Sequence, residues 1–346
     1  MPTWREEVEK EFGVDVYHSG FCGDVISSGS FIVDFLTGIG GFPLGHIVEI
    51  FGEEGSGKTT LVLETIKGVL DKKRPVLFLD YECTVSDGYL NHLGIDPIVL
   101  KDYRVTPDSM EDGFMLMKRF CERHRGGLIV TDSIAAMPPI SDVKKMAEII
   151  GQVKVASMAH VMAVALRQMT NVFHKSNNCA IFVNQERSKI DVLRGLPGKK
   201  TTPGGLAVKF FAAMRVKIRL RKPYIIISED SLSGLKDEKS VDGIEVWVEV
   251  IKNKFSRSYT KGSIVIRMNA GIDNIISAIA IGERIGLVTK KSGGNYFLCE
   301  DYSGDTLGQK RVRGLERLNK YFQDNPKIWQ KFYGDVAGFL RERMKS

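Results

Sequence analysis

The chain has 346 residues, 43% apolar and 26% charged, enough for one large domain with appendages or for two domains. A net charge of +7 and a pI near 9.0 point to a polyanionic partner, either nucleic acid or an anionic membrane surface. Five scattered cysteines without C-x-x-C pairs and six histidines without ligand spacing argue against a disulfide scaffold and against structural zinc. The first residues, MPTWREEVEK, hold no apolar signal core, and the longest apolar span, 155–166, is too short to cross a bilayer and contains His160, so a soluble cytoplasmic protein is expected.

Residues 4–12 read as a short charged helix and 13–30 as a flexible connector rich in Gly and Ser. From residue 32 onward, the apolar runs IVEIF (47–51), PVLFLD (75–80), GLIVTD (127–132) and CAIFVN (179–184) alternate with helical stretches such as 61–70, 110–122 and 153–173. Near-continuous apolar strands separated by helices predict an α/β fold, a mainly parallel central sheet covered on both faces. Beyond residue 205, MRVKIRL (214–220), YIIIS (224–228), IEVWVEVIKNK (244–254) and GSIVIRM (262–268) read as antiparallel strands that extend the sheet. The last block holds helices and a hairpin-like YFLCEDYSGD (296–305). The expected division is an arm and linker at 1–30, a core at 31–269 and a small α+β C-terminal lobe at 270–346.

One strand exit carries a specific motif. In HIVEIFGEEGSGKTT (46–60) the spacing of Gly52, Gly57, Lys58 and Thr59 fits G-x-x-x-x-G-K-[ST] between a strand and a helix. The loop of Gly52, Glu53, Glu54, Gly55, Ser56, Gly57, Lys58, Thr59 and Thr60 is therefore a candidate phosphate cradle, its amides and the helix N-terminus facing phosphate oxygens. Lys58 would reach the β- and γ-phosphates of ATP, and the Thr59 hydroxyl would bind the Mg²⁺ that accompanies it.

Phosphoryl transfer also needs a held metal and a positioned water. Asp132, closing GLIVTD at the ligand-binding edge of the sheet, is the candidate partner of Mg²⁺, directly or through water. Asp80 closes PVLFLD, and Glu82 stands two residues later, placed to orient or deprotonate water; acids at strand ends also cap the following helix. Gln185, after CAIFVN, can sense a γ-phosphate through its amide. Behind it, ERSKIDVLRGLPGKKTTPGG shows neither helical nor strand period and carries Arg187, Lys189, Arg194, Lys199 and Lys200. Its TTPGG end brings Thr201, Thr202, Gly204 and Gly205, whose hydroxyls and backbone suit phosphate oxygens. A solvated charged loop is the alternative. A phosphate sensor feeding into a basic loop would couple nucleotide state to polyanion affinity, as in a DNA-dependent ATPase. PPISD (138–142) would give a companion loop.

With these residues in view, the chain resembles the RecA family of homologous-recombination ATPases over almost its whole length. The resemblance is carried by residues 27–60, FLDYE (78–82), LIVTDSIAAMPP (128–139), FVNQERSKI (182–190), TTPGGLAVKFFA (201–212) and VIKNK (250–254), in matching order and spacing. It implies a RecA-like ATPase core with an N-terminal polymerisation helix and a C-terminal lobe, coating single-stranded DNA as a helical filament of identical subunits and pairing it with double-stranded DNA. By motif, it implies Glu82 as catalytic base, Gln185 as γ-phosphate sensor, Ser86 and Tyr89 as adenine contacts, and Lys252 and Lys254 reaching the neighbouring subunit's ATP. Residues 186–205 resemble the second DNA loop and 138–150 the first; Arg167 is carried over from the following helix, where His160 replaces another arginine. Arg194 stands where many members have an aromatic residue, which favours phosphate contact over stacking. The shorter N-terminal helix and the ending RERMKS, without an acidic tail, look more like a phage-encoded relative than a cellular one. Alternatives on the same fold are a ring-forming helicase-like motor and a nucleotide-gated filament with vestigial hydrolysis.

Overall fold

The computed structural model describes residues 23–140, 155–191, 196–201, 206–228, 238–302 and 310–345. The helix expected at 4–12, most of the connector and the greater part of the first loop lie outside them. The end of the connector is built into the fold rather than flexible: β1 (Val25–Ile26) and β2 (Phe42–Pro43) pair antiparallel across α1 (Phe31–Thr37). Ser28 and Ser30 are buried, the Ser30 hydroxyl accepts from the Val33 amide at the start of α1, and Ser27 donates to Asp34. A Ser/Gly run reads as flexible because nothing local in the sequence reveals that its hydroxyls serve a helix end.

β3 (Ile47–Gly52) leads into α2 (Lys58–Asp71), and β4 (Val76–Asp80) into α3 (Asp87–His92) and α4 (Pro97–Lys101). β5 (Arg104–Val105) precedes α5 (Met110–Arg123), and β6 (Leu128–Asp132) is followed by α6 (Val155–Ser176) and β7 (Cys179–Gln185). These strands are buried on both sides, and their period of two sorts each run between two cores. Val76, Phe78, Leu128, Val130, Ile181 and Val183 join Leu61, Val62, Leu63 and Ile66 of α2 on one face. Leu77, Leu79, Ile129, Ala180 and Phe182 join Phe114 and Met117 of α5 and Met162, Leu166 and Phe173 of α6 on the other.

Three expectations are corrected beyond this point. The stretch behind Gln185 is not without strand structure: β8 (Arg187–Asp191) and β9 (Leu196–Thr201) form an antiparallel ribbon. Its sequence carries no apolar alternation from which the two strands could be read. Next, α7 (Ala207–Phe211) returns the chain so that β10 (Met214–Ser228) runs parallel to β3, whereas an antiparallel extension was expected. MRVKIRL and YIIIS are both parts of this one strand. Antiparallel pairing begins only with β11 (Glu238–Asn253), followed by β12 (Thr260–Arg267) and β13 (Gly271–Ile272). Strand sense depends on which side the connection crosses, and apolar patterning does not encode that. The nine-stranded order is β13-β12-β11-β10-β3-β7-β6-β4-β5.

The third correction concerns YFLCEDYSGD. After α8 (Asn274–Arg284), β14 (Val288–Lys291) pairs with β15 (Asn295–Leu298), which pairs in turn with β16 (Lys310–Arg313). YFL is thus the middle strand of a three-stranded sheet, and residues 300–302 form a short 3₁₀ turn instead of a returning strand. Two helices close the chain, α9 (Leu315–Asp324) and α10 (Pro326–Lys345). Leu298, Phe322 and Phe332 are fully buried in a cluster continuous with the first core, and the Asn274 side chain bonds both the Phe31 amide and the Gly29 carbonyl. Among the described residues, no helix is long and apolar enough to cross a membrane.

Candidate active site

The carboxyl ends of β3, β4, β6 and β7 open on one side of the sheet, where open α/β sheets bind ligands. A cavity of about 430 Å³ lies there, lined by Glu54, Gly55, Gly57, Lys58, Thr59, Thr60, Glu82, Tyr89, Asp132 and Gln185. Its far wall comes from the antiparallel half of the sheet: Gly243, Ile244, Ile266, Arg267 and Met268. Sequence reading misses this wall, because a residue's nearness to a loop two hundred positions earlier follows only from strand order.

The loop between β3 and α2 is shaped by its own contacts. Gly57 takes a φ of +87°, where a side chain would be strained. Ser56 is buried and donates to the Glu53 carbonyl at 2.7 Å. The Lys58 ammonium donates to the same carbonyl at 2.6 Å, which curls the loop over the start of α2. Lys58 is only 7% exposed, and burial lowers its pKa; Asp132 and Glu82 oppose that shift. The site thus holds a desolvated cation beside a helix N-terminus, a place that an anion would stabilise. Gly52 and Glu53 stand at the base of the loop and do not line the cavity.

The acids differ in what holds them. The Thr59 hydroxyl donates to Asp132 Oδ2 at 2.8 Å, and Asp132 is 3% exposed. Burial pushes the Asp132 carboxyl up to about 6, with the negative charges of Glu82 and Asp80 adding to the rise and the Thr59 hydrogen bond opposing it. Thr59 and Asp132 together offer two hard oxygen donors at the cavity wall, a set that fits Mg²⁺ completed by phosphate oxygens and water. Glu82 Oε1 accepts from the Ser133 hydroxyl and from Gln185 Nε2, the latter at 3.1 Å. Asp80 points away from this group: Arg104 binds its Oδ2, while its Oδ1 accepts from the Glu82 and Cys83 amides at 3.2 and 2.9 Å. Asp80 therefore buttresses the turn that presents Glu82. Ser133 is likewise missed by sequence reading, although it directly follows Asp132.

Tyr89 lines the cavity and its hydroxyl meets Thr60 Oγ1 at 2.5 Å. Ser86 caps α3 by accepting from the Tyr89 amide, and so sets Tyr89 rather than facing the cavity itself. The Lys252 ammonium lies on the carbonyls of Lys209 and Phe210, at 2.8 and 3.1 Å, at the end of α7. Lys254 is exposed, one residue past β11, and its amide donates to Ala213. Neither lysine reaches the cavity of its own chain. Arg167 is exposed on α6. Arg187, Lys189, Lys199, Lys200 and Thr201 lie on the β8–β9 ribbon, which leaves the sheet directly behind Gln185. Arg194, Thr202, Gly204 and Gly205 fall outside the described residues.

The family described as "RecA N-terminal domain" matches residues 6–273. "Protein RecA" of Staphylococcus epidermidis is 34% identical over 349 residues, covering 99% of this chain and 91% of that protein. "Protein RecA" of Aquifex aeolicus is 34% identical over 305 residues, covering 88% and 81%. A crystal structure of the RadB recombinase aligns with 72% of this chain and 98% of its own at 19% identity, with a TM-score of 0.49. On the breadth of the family match and the near full-length identity to these relatives, the chain belongs to the RecA family.

Proposed function

We propose that the protein is an ATP-dependent DNA recombinase that assembles as a helical filament on single-stranded DNA, pairs it with homologous double-stranded DNA, and hydrolyses ATP when DNA is bound. The observation that carries this reading is the meeting of Lys58, Thr59, Asp132, Glu82 and Gln185 around one cavity, with a basic ribbon leaving the sheet at Gln185. ATP would lie with its phosphates at the loop before α2. Mg²⁺ would be held by Thr59 with Asp132, and when bound it neutralises charge on the transferred phosphoryl group. Glu82 would take a proton from the attacking water, and Gln185 would leave Glu82 to bond the γ-phosphate, pulling on β8 as it moves. Lys252 and Lys254, away from their own cavity, would serve the neighbouring subunit's ATP in a head-to-tail assembly. Residues 1–30 would be the polymerisation arm, 31–269 the ATPase core and 270–346 the C-terminal lobe.

The test is ATP hydrolysis with and without single-stranded DNA, alongside electron micrographs with DNA and a slowly hydrolysed ATP analogue. Hydrolysis stimulated by DNA and helical filaments are expected; hydrolysis indifferent to DNA, with no filaments, would refute the proposal. Replacing Arg187, Arg194, Lys199 and Lys200 together is expected to weaken DNA binding and flatten its salt dependence by roughly one unit of log–log slope per lost phosphate contact. Titrations at several salt concentrations read this directly, and an unchanged slope would make the ribbon merely solvated. Ser133→Ala is expected to lower kcat about tenfold with nucleotide affinity nearly unchanged, since it removes one charge-assisted hydrogen bond that aims Glu82.

A further inference from the structure

We infer that Arg267 positions the base end of the bound nucleotide and, through Glu316, ties that end of the cavity to helix α9; this rests on the nucleotide reading above. Arg267 ends β12 and lines the cavity wall beside Gly243, Ile244 and Ile266. All three of its guanidinium nitrogens are engaged: Nε donates to Asp273 at 2.6 Å, Nη2 to Glu316 at 2.9 Å, and Nη1 to Asp242. Asn319, on α9 like Glu316, donates to the same Asp273 oxygen at 2.8 Å. The Tyr224 hydroxyl donates to Glu316, and its ring centre lies 5.5 Å from the guanidinium carbon. A nucleotide-cavity residue is thus the hub of a cluster that draws on β10, β11, the start of α8 and α9.

Three carboxylates around one cation leave net negative charge and no anion cradle at this end of the cavity, while the other end has one: Lys58, the N-terminus of α2, and the Thr59–Asp132 pair that fits Mg²⁺. Phosphate is repelled from the first and attracted to the second, so the nucleotide lies with its base toward Arg267. With its nitrogens spent, Arg267 offers the cavity its alkyl stem and guanidinium face, surfaces that pack on ribose or an aromatic base. A base seated there excludes water from the ion pairs, and the lower local dielectric strengthens the hold on Glu316. Nucleotide binding and α9 docking then favour each other by the same factor.

The experiment is hydrogen exchange of residues 315–324 in the full chain with and without ADP, paired with fluorescent-ADP titration, for the parent, Glu316→Gln and Arg267→Lys. In the parent, ADP is expected to slow exchange of this segment about fivefold or more, and both variants should lose most of that difference while binding ADP more weakly by a similar factor. A purely structural role would speed exchange equally with and without ADP, leaving the ADP-dependent difference intact, and that result would overturn the inference. So would a parent that binds ADP with no change at 315–324, an outcome that leaves the nucleotide site standing. A parent that binds no ADP would instead remove the nucleotide reading itself. Should Glu316→Gln fail to fold, Arg267→Lys decides alone, since it keeps the charge but has one nitrogen where three carboxylates are held by three separate ones.

Discussion

Glu82→Gln is expected to cut DNA-stimulated ATP hydrolysis by about 100-fold or more, the usual contribution of a general base, without loss of nucleotide binding. The amide keeps an oxygen that can accept from Ser133 and Gln185, so the turn that Asp80 braces should hold its shape. What it loses is the ability to take a proton. The variant also removes one negative charge facing Lys58 and the phosphate position. Affinity for ATP should therefore stay level or tighten, and kcat should fall with KM unchanged or lower. Single-turnover hydrolysis with DNA, set beside a nucleotide titration, separates the two effects; a rate equal to the parent's would remove Glu82 from the chemistry.

Lys58→Ala is expected to weaken nucleotide binding itself. Truncating one partner of a buried charge pair costs about 2–5 kcal/mol, which corresponds to a rise in Kd from roughly 30-fold to several thousand-fold. The empty protein should not suffer in parallel. In the absence of ligand Lys58 is a desolvated cation whose pKa is lowered by burial, satisfied by one loop carbonyl and facing Asp132, whose own carboxyl burial pushes up. Removing it relieves that penalty but also takes away the cation facing Asp132 and Glu82, so the two effects offset and the thermal midpoint without nucleotide should change little. The midpoint shift produced by saturating ADP in the parent should shrink to a small fraction in the variant at the same concentration. A variant that still gains the parent's full shift would show that the phosphates lie elsewhere.

The parallel half of the fold was legible because its strands are apolar on both faces, and a run such as CAIFVN admits few other readings. The phosphate loop was legible because its chemistry is local: glycines, a lysine and a threonine fall within nine residues. What escaped was whatever depends on the return path of the chain. The sense of β10 turns on how α7 brings the chain back, and the far wall of the cavity turns on where β11 and β12 then fall. Ser133 and Arg267 look unremarkable in sequence, a serine after a strand and an arginine at the end of one. Their parts follow from what stands opposite them, Glu82 in one case and three carboxylates in the other. The β8–β9 ribbon escaped for a different reason, since RSKID and LPGKKT carry no apolar alternation to mark them as strands.

The seam where β3 meets β10 bears on how genetic data from this chain would be read. A side-chain carbon at Gly52 would stand 2.0 Å from the Ile218 carbonyl oxygen, and one at Gly57 would stand 2.3 Å from the Ile266 side chain. In a saturation screen both positions would come up intolerant, and both would be credited to the nucleotide because they belong to the phosphate motif. For Gly52 that credit would be misplaced. The first casualty of any substitution there is the parallel pairing of β3 with β10, through which the antiparallel strands β11 to β13 are attached to the rest of the sheet, so the defect would show as lost soluble protein before it showed as lost catalysis. Position 57 reports on both, because the atom it would strike belongs to the cavity's own far wall. Abundance and activity scored separately would therefore divide a single sequence motif into a part that builds the sheet and a part that shapes the site.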